Sequence, residues 1–154
     1  TPEGKGSFMK WLTANRAVIE SLPFCIFLTR GRLGFDLRIW ARVLNSVTGS
    51  DFDFKELRRA GERIVTTERS FIVRNGFRRA DDDLPRRIKE EPVPSRGLGP
   101  LTQDSLDRML NDYYTSWGWN VETSIPEKET LKYLELDDIV EDFEHEEIWG
   151  DFDK

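Results

Sequence analysis

Cysteine and histidine, the side chains that most often attack substrates or bind transition metals, each occur once in this chain of 154 residues. They are Cys25 and His145. A Ser–His–Asp triad is not indicated, because the histidine lies among glutamates and far from any nucleophile motif. A zinc site needs several such ligands close together, which a lone histidine and a distant cysteine do not provide. We interpret His145 as a solvated side chain.

Cys25 lies in a short apolar run over residues 23–28, with the sequence PFCIFL. A cysteine between Phe24 and Ile26 usually behaves as a small hydrophobic residue, so the run is predicted to be buried. A single cysteine also excludes an internal disulfide. The local sequence alone therefore favours a buried structural thiol over a metal ligand.

Arginines alternate with acidic residues over residues 53–85. The five of interest are Arg63, Arg69, Arg74, Arg78 and Arg79. They could form an anion site for an acidic substrate such as a CoA phosphate. They could instead be structural, paired with Glu62, Glu68 or the aspartates at positions 81–83. The mixed signs favour ion-paired packing.

The longest predicted element is a helix that begins at Asp53 and ends at Gly76. Asp53 and Glu56 have the spacing of a capping box, and Gly76 suits the left-handed residue that ends a helix. The helix is predicted to bury one apolar face, and the other helices are expected to pack against it. That predicted face consists of Phe54, Leu57, Ile64, Val65, Phe71 and Ile72.

Shorter helices are predicted on both sides of this element. The first covers residues 7–21, with Ser7 as its N-cap. The second covers residues 35–47 and ends at Gly49. A connector over residues 80–101 has one helical turn anchored by Leu84 and Ile88. A further helix runs from Thr102 or Asp104 to Gly118, and Pro126 opens a short one. Inward-facing residues are predicted to be Leu37, Trp40, Ala41, Leu44, Val47, Leu106, Met109, Leu110, Tyr113, Tyr114, Leu131 and Leu134. No strand is predicted, so the fold class is all-α, with five or six helices around one long central helix.

Charge and hydropathy exclude several classes of protein. The net charge of −6 argues against non-specific nucleic-acid binding. No apolar run reaches the length of a membrane span and no signal peptide is visible, so a cytoplasmic protein is predicted. The chain begins at Thr1 rather than Met, which suggests a processed fragment or a recombinant segment. Acidic residues dominate residues 135–154, which could dock as a last helix or stay mobile and bind a partner.

Two segments resemble the C-terminal domain of the tungsten-containing aldehyde ferredoxin oxidoreductase family. The first carries Ala60, Gly61, Glu62, Arg63, Ile64, Glu68, Arg69, Arg74, Gly76, Phe77, Arg79, Asp82, Asp83, Leu84, Pro85 and Arg87. The second is LDRMLNDYYTSWGWNVETSIP over residues 106–126, where Ser124 replaces the usual glycine of the family. The resemblance implies a helical domain over residues 1–136, followed by an acidic tail over residues 137–154.

Residues 17–25, AVIESLPFC, are similar to the family pattern AVIDSLGLC. The resemblance implies that Cys25 is one ligand of a 4Fe-4S cluster whose other three cysteines lie in an earlier domain. Glu20 replaces an aspartate that, in the family, hydrogen-bonds the pterin of the tungsten cofactor. The resemblance implies that Glu20 and Phe24 are both cofactor-binding residues. Pro23 replaces a glycine. These departures suggest a divergent branch, such as the tungsten subunit of class II benzoyl-CoA reductase.

The resemblance implies the C-terminal part of an enzyme that oxidises aldehydes to carboxylic acids and passes electrons to ferredoxin or another electron-transfer partner. Its tungsten bis-pterin and 4Fe-4S cluster would be shared with N-terminal domains of the same enzyme. The isolated chain is expected to be inactive. The alternative is a stand-alone all-α interaction module, in which Cys25 is buried and the acidic tail binds a partner.

Overall fold

The computed structural model describes residues 2–23, 25–29, 34, 36–93, 95, 97 and 99–150, and these ranges contain seven α-helices and no β-sheet. The helices are α1 (Lys5–Ser21), α2 (Leu37–Thr48), α3 (Phe54–Arg74), α4 (Arg86–Glu90), α5 (Gln103–Trp117), α6 (Lys128–Tyr133) and α7 (Asp137–His145). Short 3₁₀ turns cover Ile26–Thr29 and Arg79–Asp81. The all-α prediction is confirmed. None of the helices in these ranges is both long enough and apolar enough to cross a membrane.

Local signals set both ends of α3. The Asp53 carboxylate accepts hydrogen bonds from the backbone N–H groups of Lys55 and Glu56, while the Glu56 carboxylate accepts from the Asp53 N–H. At the other end Gly76 has φ +90°, and the Phe77 N–H donates to the carbonyl of Ile72 at 3.1 Å. This pattern closes the helix as a Schellman motif. The predicted start and end of the long helix are confirmed.

Two glycines allow α1 to lie very close to its neighbours. A Cβ on Gly61 of α3 would lie 2.1 Å from the carbonyl oxygen of Ala14 in α1. A Cβ on Gly6 of α1 would lie 2.3 Å from the backbone nitrogen of Tyr113 in α5. Both distances are far below van der Waals contact, so only glycine permits this separation. Helix α1 is thus held between α3 and α5 by close backbone contact.

Close packing also changes which face of α3 is buried. Small residues such as Thr66 and Ser70 are buried there, whereas Phe54 is exposed and Phe71 is 70% exposed. The predicted inward positions of Phe54 and Phe71 are therefore wrong. The predicted inward position of Val47, in the last turn of α2, is also wrong, because this side chain is 78% exposed. Bulky side chains cannot occupy a face against which another backbone lies so closely.

The first turn of α1 is capped from another helix. The Asp112 carboxylate of α5 accepts hydrogen bonds from the Gly6 N–H at 2.8 Å, the Ser7 N–H at 3.2 Å and the Ser7 hydroxyl at 2.8 Å. The prediction that Ser7 is the N-cap is wrong, because the helix begins at Lys5 and Ser7 lies inside it. The pKa of the Asp112 carboxyl is lowered, chiefly by the hydrogen bond from the Ser7 hydroxyl and next by the hydrogen bond from the Ser7 N–H.

The side chains that the structure describes in the run over residues 23–28 are not buried as its composition predicts. Cys25 is exposed, and Phe27 is 63% exposed. The space beneath the C-terminal half of α1 is already filled by a cluster that includes Val18, Leu37 and Leu57. Cys25 and Phe27 are not members of this cluster. Of the rest of the run, Phe24 lies outside the described residues.

The acidic C-terminal segment docks as a helix. Val140 and Phe143 of α7 are buried in a cluster with Val73 of α3 and Leu131 of α6. Arg74 of α3 pairs with carboxylates on and just beyond α7, and Lys128 pairs with another. The two predicted uses of the tail are thereby resolved in favour of docking for residues 137–150.

Predictions for the shorter helices hold in most details. The side chain of Thr102 accepts from the Ser105 N–H at the start of α5, and Gly118 ends that helix with φ +69°. The helical turn predicted in the connector is α4, but its predicted anchoring is wrong, because Leu84 lies before the turn and Ile88 is 47% exposed. Helix α6 begins at Lys128, two residues later than predicted, because Pro126 forms an isolated β-bridge with Trp119. Leu131 and Leu134 are buried, as predicted.

Candidate functional site

Cys25 offers an open thiol just beyond the end of α1. It is free and exposed, so the interpretation as a buried hydrophobic residue is wrong. Within the described part of the chain, no group of three or more His, Cys, Asp or Glu residues could hold a metal ion. An exposed single thiol fits a metal centre whose other ligands come from elsewhere, since four ligands are needed to complete an iron–sulfur cluster.

Glu20 lies in the last turn of α1, five residues before Cys25. Its carboxylate is half exposed and accepts a hydrogen bond from Nε of Arg16 at 2.7 Å. An exposed ion pair one helical turn apart contributes at most about 1 kcal/mol. The carboxylate can therefore exchange this partner for another hydrogen-bond donor at small cost. Phe24, the remaining predicted cofactor residue, lies outside the described residues.

A groove, here called the α3 groove, runs along one face of α3 between α1 and α5. It consists of two hollows of about 410 and 280 Å³, which share Val65, Glu68 and Tyr113. Glu20 lies in the first hollow and Trp119 in the second. Residues predicted to face the core form the floor of this groove and are only half buried: Ile64, Val65 and Ile72.

A polar network fixes the far end of the α3 groove. The guanidinium of Arg69, 7% exposed, donates to Asp82 at 3.1 and 2.7 Å, and its Nε donates to the carbonyl of Ser124 at 3.0 Å. The Tyr114 hydroxyl donates to Asp82 at 2.6 Å. Burial raises the pKa of this hydroxyl, and its hydrogen bond to Asp82 raises the pKa further. These contacts tie α3, α5 and the segments around Asp82 and Ser124 together.

The other four arginines also have partners within the described residues. Arg63 donates to the carbonyl of Leu134 at 2.8 Å, and Arg78 donates to that of Val73 at 2.8 Å. Arg79 donates to the carbonyl of Val121 at 3.0 Å, and Arg74 is ion-paired with α7 as described above. The arginines are structural, as interpreted, but in the described part of the chain only Arg69 pairs with a predicted partner, Asp82. The remaining ion pairs of these arginines are with Glu135, Asp107, Asp142 and Glu146.

His145 is 84% exposed at the end of α7, with its Nδ1 3.2 Å from a carboxylate oxygen of Glu146. Its interpretation as a solvated side chain is confirmed. Sequence reasoning missed the α3 groove, and its expectation that Glu68 pairs with an arginine is wrong within the described residues. A signal for the groove was present, because Ile64, Val65, Glu68 and Ile72 share one helical face that mixes apolar residues with a charge.

Comparison with known proteins gives one matching family model. The model described as aldehyde ferredoxin oxidoreductase, domains 2 and 3, matches residues 1–136. The tungsten-containing aldehyde ferredoxin oxidoreductase of Pyrococcus furiosus is 39% identical over 121 residues, which are 77% of this chain and 19% of that protein. Its counterpart from Pyrococcus abyssi is 36% identical over 125 residues, which are 80% of this chain and 20% of that protein. The chain thus spans about one fifth of the length of these relatives.

A solved structure has the same fold. It is the active-site complex BamBC of benzoyl coenzyme A reductase in complex with 1,5-dienoyl-CoA, and it superposes with a TM-score of 0.74. The match covers 93% of this chain and 21% of the other, at 23% sequence identity. At this identity the comparison establishes the fold alone.

Proposed function

Because this chain belongs to the aldehyde ferredoxin oxidoreductase family, we propose that it is the helical C-terminal part of a tungsten-dependent oxidoreductase. The complete enzyme oxidises aldehydes to carboxylic acids and passes the electrons to ferredoxin. The remaining domains of that enzyme correspond to the parts of the relatives that this chain does not cover, since it spans only about one fifth of their length. The isolated chain is inactive.

The exposed thiol of Cys25 is the observation that carries this proposal. Cys25 supplies one thiolate to a 4Fe-4S cluster, and three cysteines of another domain complete the set. The surrounding surface fits this role, because the neighbouring Phe27 is also exposed and would exclude water once another domain covers it. A fully buried thiol could not reach a cluster held in that way.

Glu20 and Phe24 contribute to the pterin site in this proposal. The Glu20 carboxylate accepts hydrogen bonds from pterin N–H groups, in exchange for its weak surface pair with Arg16. When bound, the tungsten pterin and the cluster supply the redox chemistry, and the protein supplies binding, orientation and exclusion of water. The extra methylene of glutamate, relative to the aspartate of the family pattern, extends the reach of the carboxylate by one carbon.

The alternative of a stand-alone interaction module depends on two features that the described residues do not have. It requires a buried Cys25, and the thiol is exposed. It also requires a free acidic tail, whereas Phe143 of α7 is fully buried against its neighbours. Both observations favour the enzyme domain.

The test uses the complete native protein, purified without oxygen. We expect tungsten together with about four irons per polypeptide. The substitution Cys25→Ser should lower the iron content or shift the cluster potential while the helical circular-dichroism signal is kept. Ser21→Ala, which removes an exposed hydroxyl at the end of α1, is the matched control and should change neither. If the Cys25→Ser protein kept its iron content and its activity, the assignment of Cys25 as a cluster ligand would be refuted.

A further inference from the structure

The chain contains five asparagines, and one of them, Asn75, is followed by glycine. An asparagine side chain can react when the backbone nitrogen of the next residue attacks its carbonyl carbon. Glycine favours this attack, because no Cβ shields the nitrogen and the backbone rotates freely. The new N–C bond closes a cyclic imide, the bond to the side-chain nitrogen breaks, and ammonia leaves. Water then opens the ring to an aspartyl or isoaspartyl residue. Asn75 is exposed, so water has access to it.

The end of α3 holds Asn75 in a conformation in which this ring does not close. Ring closure needs the Cβ of Asn75 and the nitrogen of Gly76 to be nearly eclipsed across the Cα–C bond. The ψ angle of Asn75 is 16°, which instead brings the Gly76 nitrogen close to eclipsed with the backbone nitrogen of Asn75. The side-chain Nδ2 also donates to the carbonyl of Phe71 at 2.7 Å, one turn earlier in the helix. The reaction therefore requires a large rotation about the Cα–C bond of Asn75.

Hydrogen bonds on both sides of the reactive peptide bond oppose that rotation. The Gly76 N–H donates to the carbonyl of Val73 at 2.9 Å, next to the Schellman hydrogen bond of Phe77 described above. The guanidinium of Arg78 adds a clamp, because its Nη1 donates to the carbonyls of Val73 at 2.8 Å and Phe77 at 2.9 Å. Ring closure thus requires the end of α3 to open first.

We propose that Asn75 is a deamidation site that the folded end of α3 keeps unreactive and that reacts when this turn opens. The product hinders closure of the turn, because a carboxylate replaces the amide that donates to Phe71 and places a negative charge at a helix C-terminus. Val73 and Arg74 of the same turn contact α7, so deamidation loosens the attachment of that helix. The reaction needs no metal or cofactor and is independent of the proposed function.

The experiment follows deamidation in the complete protein by peptide mass spectrometry, in native buffer and in concentrated urea at the same pH and temperature. In urea, Asn75 should react faster than the other four asparagines, which are followed by Arg, Ser, Asp and Val. In native buffer, Asn75 should react at least about 30-fold more slowly than in urea, since ring closure requires at least two hydrogen bonds to be broken.

Two substitutions separate the fold from the chemistry. Arg78→Met removes the clamp and should raise the native rate at Asn75 by at least about fivefold. Arg108→Met, at an exposed arginine of α5, is the matched control and should leave this rate unchanged. Gly76→Ala weakens the end of α3, because alanine disfavours φ +90°. Its Cβ nevertheless shields the attacking nitrogen, so most of the reaction in urea should be lost.

Equal rates at Asn75 in native buffer and in urea would overturn the proposal, because the turn would then give no protection. Failure of Asn75 to deamidate in urea would also overturn it, since the site would not be reactive even when unfolded. The same holds if Arg78→Met keeps both the helical circular-dichroism signal and the native rate of the parent protein. Protection would then come from elsewhere than the end of α3.

Discussion

The substitution Gly61→Ala sets two physical effects of opposite sign against each other. Alanine is the better helix former, and this difference alone would stabilise α3 by about 1 kcal/mol. The new Cβ, however, would lie 2.1 Å from the carbonyl oxygen of Ala14 and 2.9 Å from a methyl group of Val18. Normal contact between carbon and oxygen needs more than 3 Å, so α1 and α3 must separate by about 1 Å.

The steric effect should dominate, because the nearest atom belongs to a helix backbone that cannot turn aside. Overpacking typically costs 1–3 kcal/mol, and the depth of this overlap places Gly61→Ala at about 3 kcal/mol. Subtracting the gain in helix propensity leaves a net destabilisation of about 2 kcal/mol. For a chain of this length, such a loss corresponds to a decrease of about 4–8 °C in the unfolding midpoint.

The assay is urea unfolding followed by circular dichroism, with a thermal scan as a second measurement. Thr67→Ala, at an exposed site of the same helix, controls for helix propensity without steric overlap and should stabilise slightly. If Gly61→Ala were as stable as the parent protein or more stable, the close contact between α1 and α3 would be wrong. Helix propensity would then be the dominant effect.

Three further perturbations follow from individual contacts. Asp53→Ala removes the capping box of α3 and should cost about 1 kcal/mol in urea unfolding, whereas Asp53→Ser should restore most of it. Arg69→Met leaves the Asp82 carboxylate with the Tyr114 hydroxyl as a donor but without a cation, so it should lower the free energy of unfolding by about 3 kcal/mol. Adding Asp82→Asn should recover part of that loss. If the effects of the two substitutions were simply additive, the pairing would be contradicted. The pKa of Asp112 is lowered by folding, so its contribution to stability is complete above its ordinary value of 3.8 and is lost as pH falls through the lower folded value. Asp112→Asn should therefore flatten the acid limb of the stability curve over that range, and an unchanged limb would contradict the assignment.

Helix ends were predictable because their interactions are local. Asp53 and Glu56 cap α3 within one turn, and Gly76 and Gly118 end their helices by a backbone conformation that glycine adopts readily. Each of these signals involves residues a few positions apart, so the sequence alone carries it. The all-α class and the order of the helices follow from the same signals.

The buried face of α3 was less predictable, because it depends on a neighbouring helix. Periodicity correctly placed Leu57 inside but also placed Phe71 there. It could not reveal that α1 approaches closely enough to require Gly61 and to favour Thr66 and Ser70. The same limitation applies to Ile64, Val65 and Ile72, which are only partly buried although their apolar character indicates burial.

The candidate site follows from the family pattern and stays a prediction. Local composition alone indicated a buried thiol at Cys25, whereas the structure exposes it. Apolar neighbours in a sequence indicate that a segment is to be covered, but they do not distinguish a domain's own core from contact with another domain. Cys25 and Phe27 are both exposed in the described part of the chain.

The cap that α1 receives from Asp112 has a consequence for the order of folding. Helices α3 and α5 carry their own caps and can begin from local contacts, whereas the first turn of α1 depends on a carboxylate 105–106 residues further along the chain. At synthesis rates of 5–20 residues per second, Asp112 leaves the ribosome on the order of 5–20 s after the turn that it caps. During that interval α1 has only its contacts with α2 and α3, and its first turn is capped only when α5 packs against it.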